Sequence, residues 1–357
     1  MTRKQWAVLS LSFLLSALFF IVVSVVLIDP FQIYHQATAF IPPISNGTQS
    51  YCNAGIAKSY DYDSVIIGSS MTENFRPSQL DELLGGSFVK IPINAGSPFN
   101  HKQMMDMAFG SHDVKRIVYG IDIELMTYFY KTPKSKMPEY LYDDDLFNDV
   151  QYWFNQSVLF KYIPACLSTL GQQNPDQRDT MYTWGDMYAY GKDAALAGIV
   201  ISSEVFAQDA QPEVPVLSQQ TRLNMEHNIL PYIESHPDTE FIFFFPPYSV
   251  AKWYEFYRQG KLDYHLDQKI AVAAALLPYE NVKLFDFQAE TSWITNLNHY
   301  IDSGHYGPWI NDEMIIAVSE GRKRIADASQ LSDNNAVIRS LVNQVVAAGR
   351  WPDSFVQ

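Results

Sequence analysis

An uncharged apolar run from Trp6 to Ile28 opens the chain, preceded by Arg3 and Lys4 and closed by Asp29-Pro30. About 20 apolar residues suffice to cross a bilayer, so this run predicts a membrane-spanning helix. The basic flank stays on the cytoplasmic side, which puts the remainder outside, periplasmic or extracellular. A cleaved signal peptide would carry an apolar region of only ~7–15 residues with a small-residue site close behind it. Here the run is longer, and Ala37-Thr38-Ala39 lies well past its end. The reading is an uncleaved single-pass anchor over residues 1–29, with the bilayer holding residues 6–28. No second stretch is long and apolar enough to span.

Beyond the anchor the pattern changes. Residues 30–60 are rich in Pro, Gly, Asn and Ser and read as a linker or surface wrap. Short apolar runs follow: Val65-Ile66-Ile67, Phe88 to Ile93, Arg116 to Ile121, Glu240 to Phe245 and Val282 to Phe287. Runs this short read as strands buried on both faces, the pattern of a parallel sheet. Helical spacing lies between them, around Met104–Phe109, Ser218–Ser235 and Leu266–Leu277, then Trp309–Ala328 and Ala336–Ala347. Strands alternating with helices predict an α/β domain, a parallel sheet flanked by helices, over residues 61–357. From about Leu125 to Pro215 the alternation blurs into Tyr, Trp, Asp and Pro, which reads as a helical or irregular insertion. Its Asp143-Asp144-Asp145 run lacks the glycine and distal glutamate of an EF-hand loop and reads as a solvated turn.

Composition narrows the classes. The 357 residues are 47% apolar and carry a formal net charge of -14, with 39 acidic against 25 basic residues. Nucleic-acid binding needs a positive face, so this balance argues against it. Two cysteines, Cys52 and Cys166, are too far apart in sequence for a metal site, and no histidine cluster has zinc-ligand spacing. Outside the cytoplasm the two could form a disulfide, which sequence leaves open.

The candidate chemistry sits at strand ends. After Val65-Ile66-Ile67 comes Gly68-Ser69-Ser70, a small-residue turn into a helix start, where open α/β folds hold their ligands. Ser70 reads as a nucleophile, against the plainer reading of a helix cap. Far down the chain, Asp302-Ser303-Gly304-His305 places a carboxylate and an imidazole two residues apart, between the last apolar run and a helix. Such a turn can fold the carboxylate onto Nδ1, which fixes the tautomer and leaves Nε2 free to take a serine proton. The plainer alternative is a capping Asp302 beside an exposed loop His305.

These motifs resemble those of the SGNH/GDSL hydrolase superfamily. Gly68-Ser69-Ser70 matches its first block and Asp302-Ser303-Gly304-His305 its last. The resemblance implies a flavodoxin-like sheet and a Ser70–His305–Asp302 triad needing no metal or organic cofactor. It also implies oxyanion or substrate-binding roles around Asn94 and Gly96, and at Asp122. In the family's third block an asparagine stands where this chain has Asp122; an ionised carboxylate there would oppose an oxyanion. The anchor and the Pro246-Pro247-Tyr248 loop are similar to a membrane-anchored branch. That branch includes the D-alanine-transfer protein of teichoic-acid modification and envelope polysaccharide acylation proteins. Its members imply an acyltransferase or esterase acting on a cell-envelope glycan or polymer, beside a membrane-bound O-acyltransferase. A plain glycan deacetylase, and a catalytically degenerate scaffold favoured by Asp122, are the alternatives.

Overall fold

The computed structural model describes residues 1–202 and 218–356, so the end of the expected insertion, 203–215, lies outside the described residues. The chain divides into two compact units, residues 1–61 with 137–177, and residues 62–136 with 178–357.

The second unit is built on a six-stranded sheet in the order β2-β1-β3-β4-β5-β6. The strands are β1 Ser64–Ile67, β2 Phe88–Lys90, β3 Arg116–Gly120, β4 Glu240–Phe245, β5 Val282–Asp286 and β6 Arg324–Ile325. The first five are parallel, in the registers Val65↔Val89, Val65↔Ile117, Ile117↔Phe241 and Phe241↔Val282. Val65, Ile66, Ile67 and Phe241 to Phe245 are all buried, because helices cover both faces and no polar face is needed. On one flank, helix Pro308–Ser319 packs against helix Pro77–Leu84; elsewhere, helix Val250–Arg258 packs against Leu262–Leu276 and Gln330–Ala348. From β1 the sheet grows outward to β2 on one side and to β3, β4 and β5 on the other. The strand order therefore reverses between β1 and β3, and the crevice beyond their carboxyl ends is where a ligand sits in a sheet of this order.

One ion pair is wholly inside this unit. Lys269 Nζ lies 2.9 Å from Asp286 Oδ2 at the end of β5, with both side chains fully buried. Asn334 Nδ2 donates to the same carboxylate oxygen at 2.7 Å. Asp286→Asn leaves the lysine without its counter-charge and is expected to cost about 3–5 kcal/mol. A fall in the urea midpoint checks this, and a double replacement of Lys269 and Asp286 by apolar residues should recover most of the loss.

Three expectations are corrected. The single helix expected over Trp309–Ala328 ends at Ser319; left-handed Gly321 (φ 69°) and Lys323 (φ 66°) turn the chain back. Arg324–Ile325 then adds an antiparallel strand beside β5 that is too short to show in the pattern. The Ser218–Ser235 helix is interrupted by a wide turn at Met225–Ile229, just before Pro231, whose ring nitrogen cannot donate within the helix.

The third correction concerns residues 30–60, which are no linker. Helix Gln49–Ser59 buries Cys52, Ala54, Ile56 and Ala57 and belongs to the first unit. Residues 137–177, expected as part of an insertion into the α/β domain, complete that unit. Its long helix, Arg3–Ile28, is apolar and long enough to cross a membrane. Asp29 ends that helix in a left-handed conformation, and its amide donates to Val25 O at 2.7 Å. Cys52 and Cys166 are buried free thiols, each pushed up to about 12 chiefly by burial.

Candidate active site

The turn after β1 is set by what two glycines leave out. A Cβ on Gly68 would stand 2.6 Å from Thr72 Cγ2, and one on Gly120, at the end of β3, would stand 2.8 Å from the same atom. Both strand ends therefore close on Thr72, whose hydroxyl donates to Ser69 O at 2.9 Å. The turn Ser70–Thr72 is thereby held against the sheet, with Ser69 buried and Ser70 partly open. Tyr306 OH and Asn311 Nδ2 donate to Met71 O at 3.1 and 3.2 Å, tying the turn to the segment after His305.

The second element is the Asp302–His305 turn. Asp302 Oδ1 accepts from the amides of Gly304 and His305 at 2.8 and 2.7 Å, which curls the turn around the carboxylate. Its other oxygen lies 2.8 Å from His305 Nδ1. Helix Val250–Arg258 pins the turn from below: Ser249 Oγ donates to Ser303 O at 2.6 Å, and Ser303 Oγ to Glu255 Oε2 at 2.6 Å.

The two elements meet. His305 Nε2 lies 2.8 Å from Ser70 Oγ, across 235 residues of sequence. The three side chains thus form one row, carboxylate to imidazole to hydroxyl. Trp184 closes one side of it, its ring edge-on to His305 at 5.5 Å and its Nε1 donating to Ser70 O at 3.3 Å. Burial acts to lower the basicity of His305, but the Asp302 carboxylate outweighs it and holds the imidazole above its ordinary 6.5. Burial acts to raise the Asp302 carboxyl; the hydrogen bond and charge of His305 outweigh it and bring it to about 2.

The row opens into a cavity of about 450 Å³, whose lining includes Ser69, Ala95, Leu125, Ala197 and Tyr248. Asp122 stands at the end of β3, within this lining. Its Oδ1 accepts a very short hydrogen bond from Tyr248 OH, and its Oδ2 faces Ser69 Oγ at 3.4 Å. Burial pushes the Asp122 carboxyl above the usual carboxylate range, against the Tyr248 hydrogen bond that lowers it. At the mouth, Lys252 Nζ pairs with Glu124 Oε2 at 3.0 Å.

The other two expected residues are placed differently. The Gly96 amide donates to Ile93 O at 2.8 Å, so it is spent on a turn and does not face the cavity as a free donor. Ala95 lines the cavity instead, in a left-handed conformation (φ 51°) at the third position of that turn. A non-glycine residue held there stores roughly 1–3 kcal/mol of strain, a cost typical of residues aimed at a site. Asn94 is exposed and its carbonyl accepts from Ser135 Oγ at 2.7 Å. Sequence reasoning used Tyr248 only within the Pro246-Pro247-Tyr248 loop, with no role in the site, and passed over Trp184. Tyr248 follows the end of β4, the same position that marks Ser70 and Asp122, so the signal was there. Trp184 lies in irregular chain with no such mark. Among the described residues no group of acidic, His or Cys side chains is arranged to hold a metal ion.

No family model and no curated protein matches the chain. Among solved structures, one described as "a putative platelet activating factor from Streptococcus pneumonia" is similar at 13% identity. The match covers 77% of this chain and 91% of that one, with a TM-score of 0.39.

Proposed function

We propose that the chain is a membrane-anchored, extracytoplasmic serine acyl-transfer enzyme of the SGNH type, acting on acyl esters of a cell-envelope glycan or polymer. The observation that carries this reading is the unbroken row from Asp302 through His305 to Ser70, with 2.8 Å at each step, opening into a cavity. In this mechanism His305 Nε2 takes the Ser70 proton as Oγ attacks an ester carbonyl. The carbonyl π electrons move onto oxygen. On collapse, His305 returns the proton to the leaving alkoxide, and the acyl group stays on Ser70. A glycan hydroxyl, or water in the esterase variant, then gives its proton to His305 and takes the acyl group, and His305 returns that proton to Ser70 Oγ as the acyl–oxygen bond breaks. The donor is an acyl ester supplied by a membrane-bound O-acyltransferase, and the helix Arg3–Ile28 keeps the enzyme beside that partner in the same bilayer.

The amides of Ser70 and Ala95 are assigned to the oxyanion, with Asp122 as a third donor in its neutral form. A protonated carboxyl supplies an O–H where the resembling family has an amide N–H, and burial favours that form against the Tyr248 hydrogen bond, which opposes it. The scaffold reading then loses the support that Asp122 gave it. A neutral Asp122 is lost as pH rises, so the rate should fall on the alkaline side. Asp122→Asn is expected to keep activity within about tenfold and to extend the alkaline range, since an amide does not titrate. A pH–rate profile in which Asp122→Asn keeps the alkaline fall of the parent would remove this role.

The test of the reading as a whole is covalent labelling of the full chain with a fluorophosphonate probe, read by intact mass. One adduct is expected, absent in Ser70→Ala and His305→Ala. An adduct that survives Ser70→Ala sinks the assignment of the nucleophile.

A further inference from the structure

Exposed apolar side chains scattered singly are ordinary on a protein surface; a concentration of them is not. Within residues 146–170 the exposures are Leu146 63%, Phe147 92%, Phe154 39%, Phe160 77%, Leu167 48% and Leu170 63%. Across those residues the charged side chains are Asp149 and Lys161 alone. Asp149 is buried and accepts from Tyr34 OH at 2.8 Å, so Lys161 is the one exposed charge within the segment.

This apolar segment is wrapped around the foot of the long N-terminal helix. Ile28, its last residue, packs on Ala37, Phe40 and Cys166. Asp29 is fully buried; Oδ1 accepts from Tyr152 OH at 2.9 Å and Oδ2 from the amides of Tyr34 and His35 at 2.6 and 3.2 Å. The Phe31 ring meets Tyr162 edge-on at 4.8 Å, and Trp153 Nε1 donates to Tyr34 OH at 2.8 Å. The helix therefore leaves its last turn into packed protein, with no slack between them.

That rigidity fixes a depth. At ~1.5 Å per residue, the apolar stretch Trp6–Ile28 is roughly 34 Å long, a close match to a hydrocarbon core of about 30 Å. Ile28 then emerges at the lipid–water boundary, and whatever packs on it stands at headgroup level. Tyr34, Trp153 and Tyr162 lie there partly exposed, side chains with an apolar body suited to that boundary, around the fully buried Tyr152.

We propose that residues 146–170 form a lipid seat, dipping Phe147, Phe160 and Leu170 into the leaflet from which the anchor emerges. This rests on the anchored reading above. The occupant is the acyl–headgroup boundary of the bilayer. It is taken by apolar burial and not by charge, since Asp143, Asp144 and Asp145 precede the segment and would repel an anionic surface. The seat gives the first unit a second contact with the membrane and fixes its tilt, which one helix alone does not.

The experiment uses the full chain in phosphatidylcholine nanodiscs at one copy per disc. Nitroxide labels are placed singly through Phe147→Cys, Phe160→Cys and Leu170→Cys. Phe13→Cys serves as the in-membrane reference and Val200→Cys, exposed in the other unit, as the aqueous one. Buried Cys52 and Cys166 are checked for background on the parent chain. Oxygen and nickel-chelate accessibilities should place the three test labels roughly 5–10 Å below the phosphates. Nickel accessibility equal to that of Val200, with Phe13 in lipid, overturns the seat and leaves the anchor standing. Nickel access at Phe13 overturns the anchor and the seat with it. Protection from both probes, with spin–spin broadening at two copies per disc, means a second copy covers the face, which also overturns the lipid seat.

Discussion

Ser70→Ala and His305→Ala are each expected to lower kcat on an activated acetyl ester by about 10⁴–10⁶-fold, and the double variant by no more than either alone. Without His305 the Ser70 hydroxyl is a neutral alcohol and a poor nucleophile. Without Ser70 the imidazole has nothing in the enzyme to activate, and the residual rate is what the cavity and its donors give to water. The two losses therefore do not multiply. Ser69→Ala is the internal control. Its hydroxyl faces Asp122 at 3.4 Å and caps the amide of Met71 at 3.4 Å, and makes no contact with His305 that would activate it. A loss of about tenfold or less is expected there, the size of a displaced hydrogen bond. Steady-state kinetics with a chromogenic acetyl ester, on folded variants, checks all four. A Ser70→Ala chain that keeps its rate would mean that another group is the nucleophile, and a parent chain with no rate on any such ester would hand the function to the scaffold reading.

The five parallel strands were legible because parallel strands covered on both faces must be almost wholly apolar, as Phe241 to Phe245 are. The Ser70 turn and the Asp302–His305 turn were legible for a related reason. Polar side chains placed just past an apolar run stand at the open edge of the sheet. What joins them was not legible. The 2.8 Å approach of His305 to Ser70 depends on Tyr306 and Asn311 holding Met71, and on Gly68 and Gly120 admitting Thr72. Gly96 shows the limit of motif reasoning. The resemblance implies an oxyanion role for Gly96, but the Ile93 carbonyl takes its N–H, and the neighbouring Ala95 lines the cavity. The first unit was the largest miss. Its parts, residues 1–61 and 137–177, are separated by 75 residues of sheet, and short helices rich in Tyr and Pro carry too weak a period to announce a shared core.

Asp302→Asn should give a second large loss, about 10²–10⁴-fold in the plateau of kcat/KM, together with a shift of the acid limb to lower pH. His305 must be neutral to accept the Ser70 proton, so the rate rises with pH through its folded-state pKa, which Asp302 holds above 6.5. With that charge gone, the largest opposition to burial is gone, and burial draws the imidazole down against the smaller pull of Asp122 and Glu73. The limb then moves to lower pH even as the plateau falls, because the imidazolium formed in the transition state has lost its counter-ion. Stability carries the same signature. The raised His305 stabilises the fold below its unfolded value near 6.5, and that gain is lost as pH rises through the higher folded value. The lowered Asp302 stabilises above 3.8, and its gain is lost as pH falls through about 2. The two describe one pair, fully effective between about pH 4 and 6.5. Because Asp302 is half-exposed, water screens the pair and the effect on stability is small beside that on rate. In Asp302→Asn the melting temperature should therefore lose part of its advantage at pH 5 over pH 9, while the acid limb moves down. A variant whose rate falls with no movement of that limb would mean that Asp302 only shapes the turn through the amides of Gly304 and His305, and does not set the charge on the base.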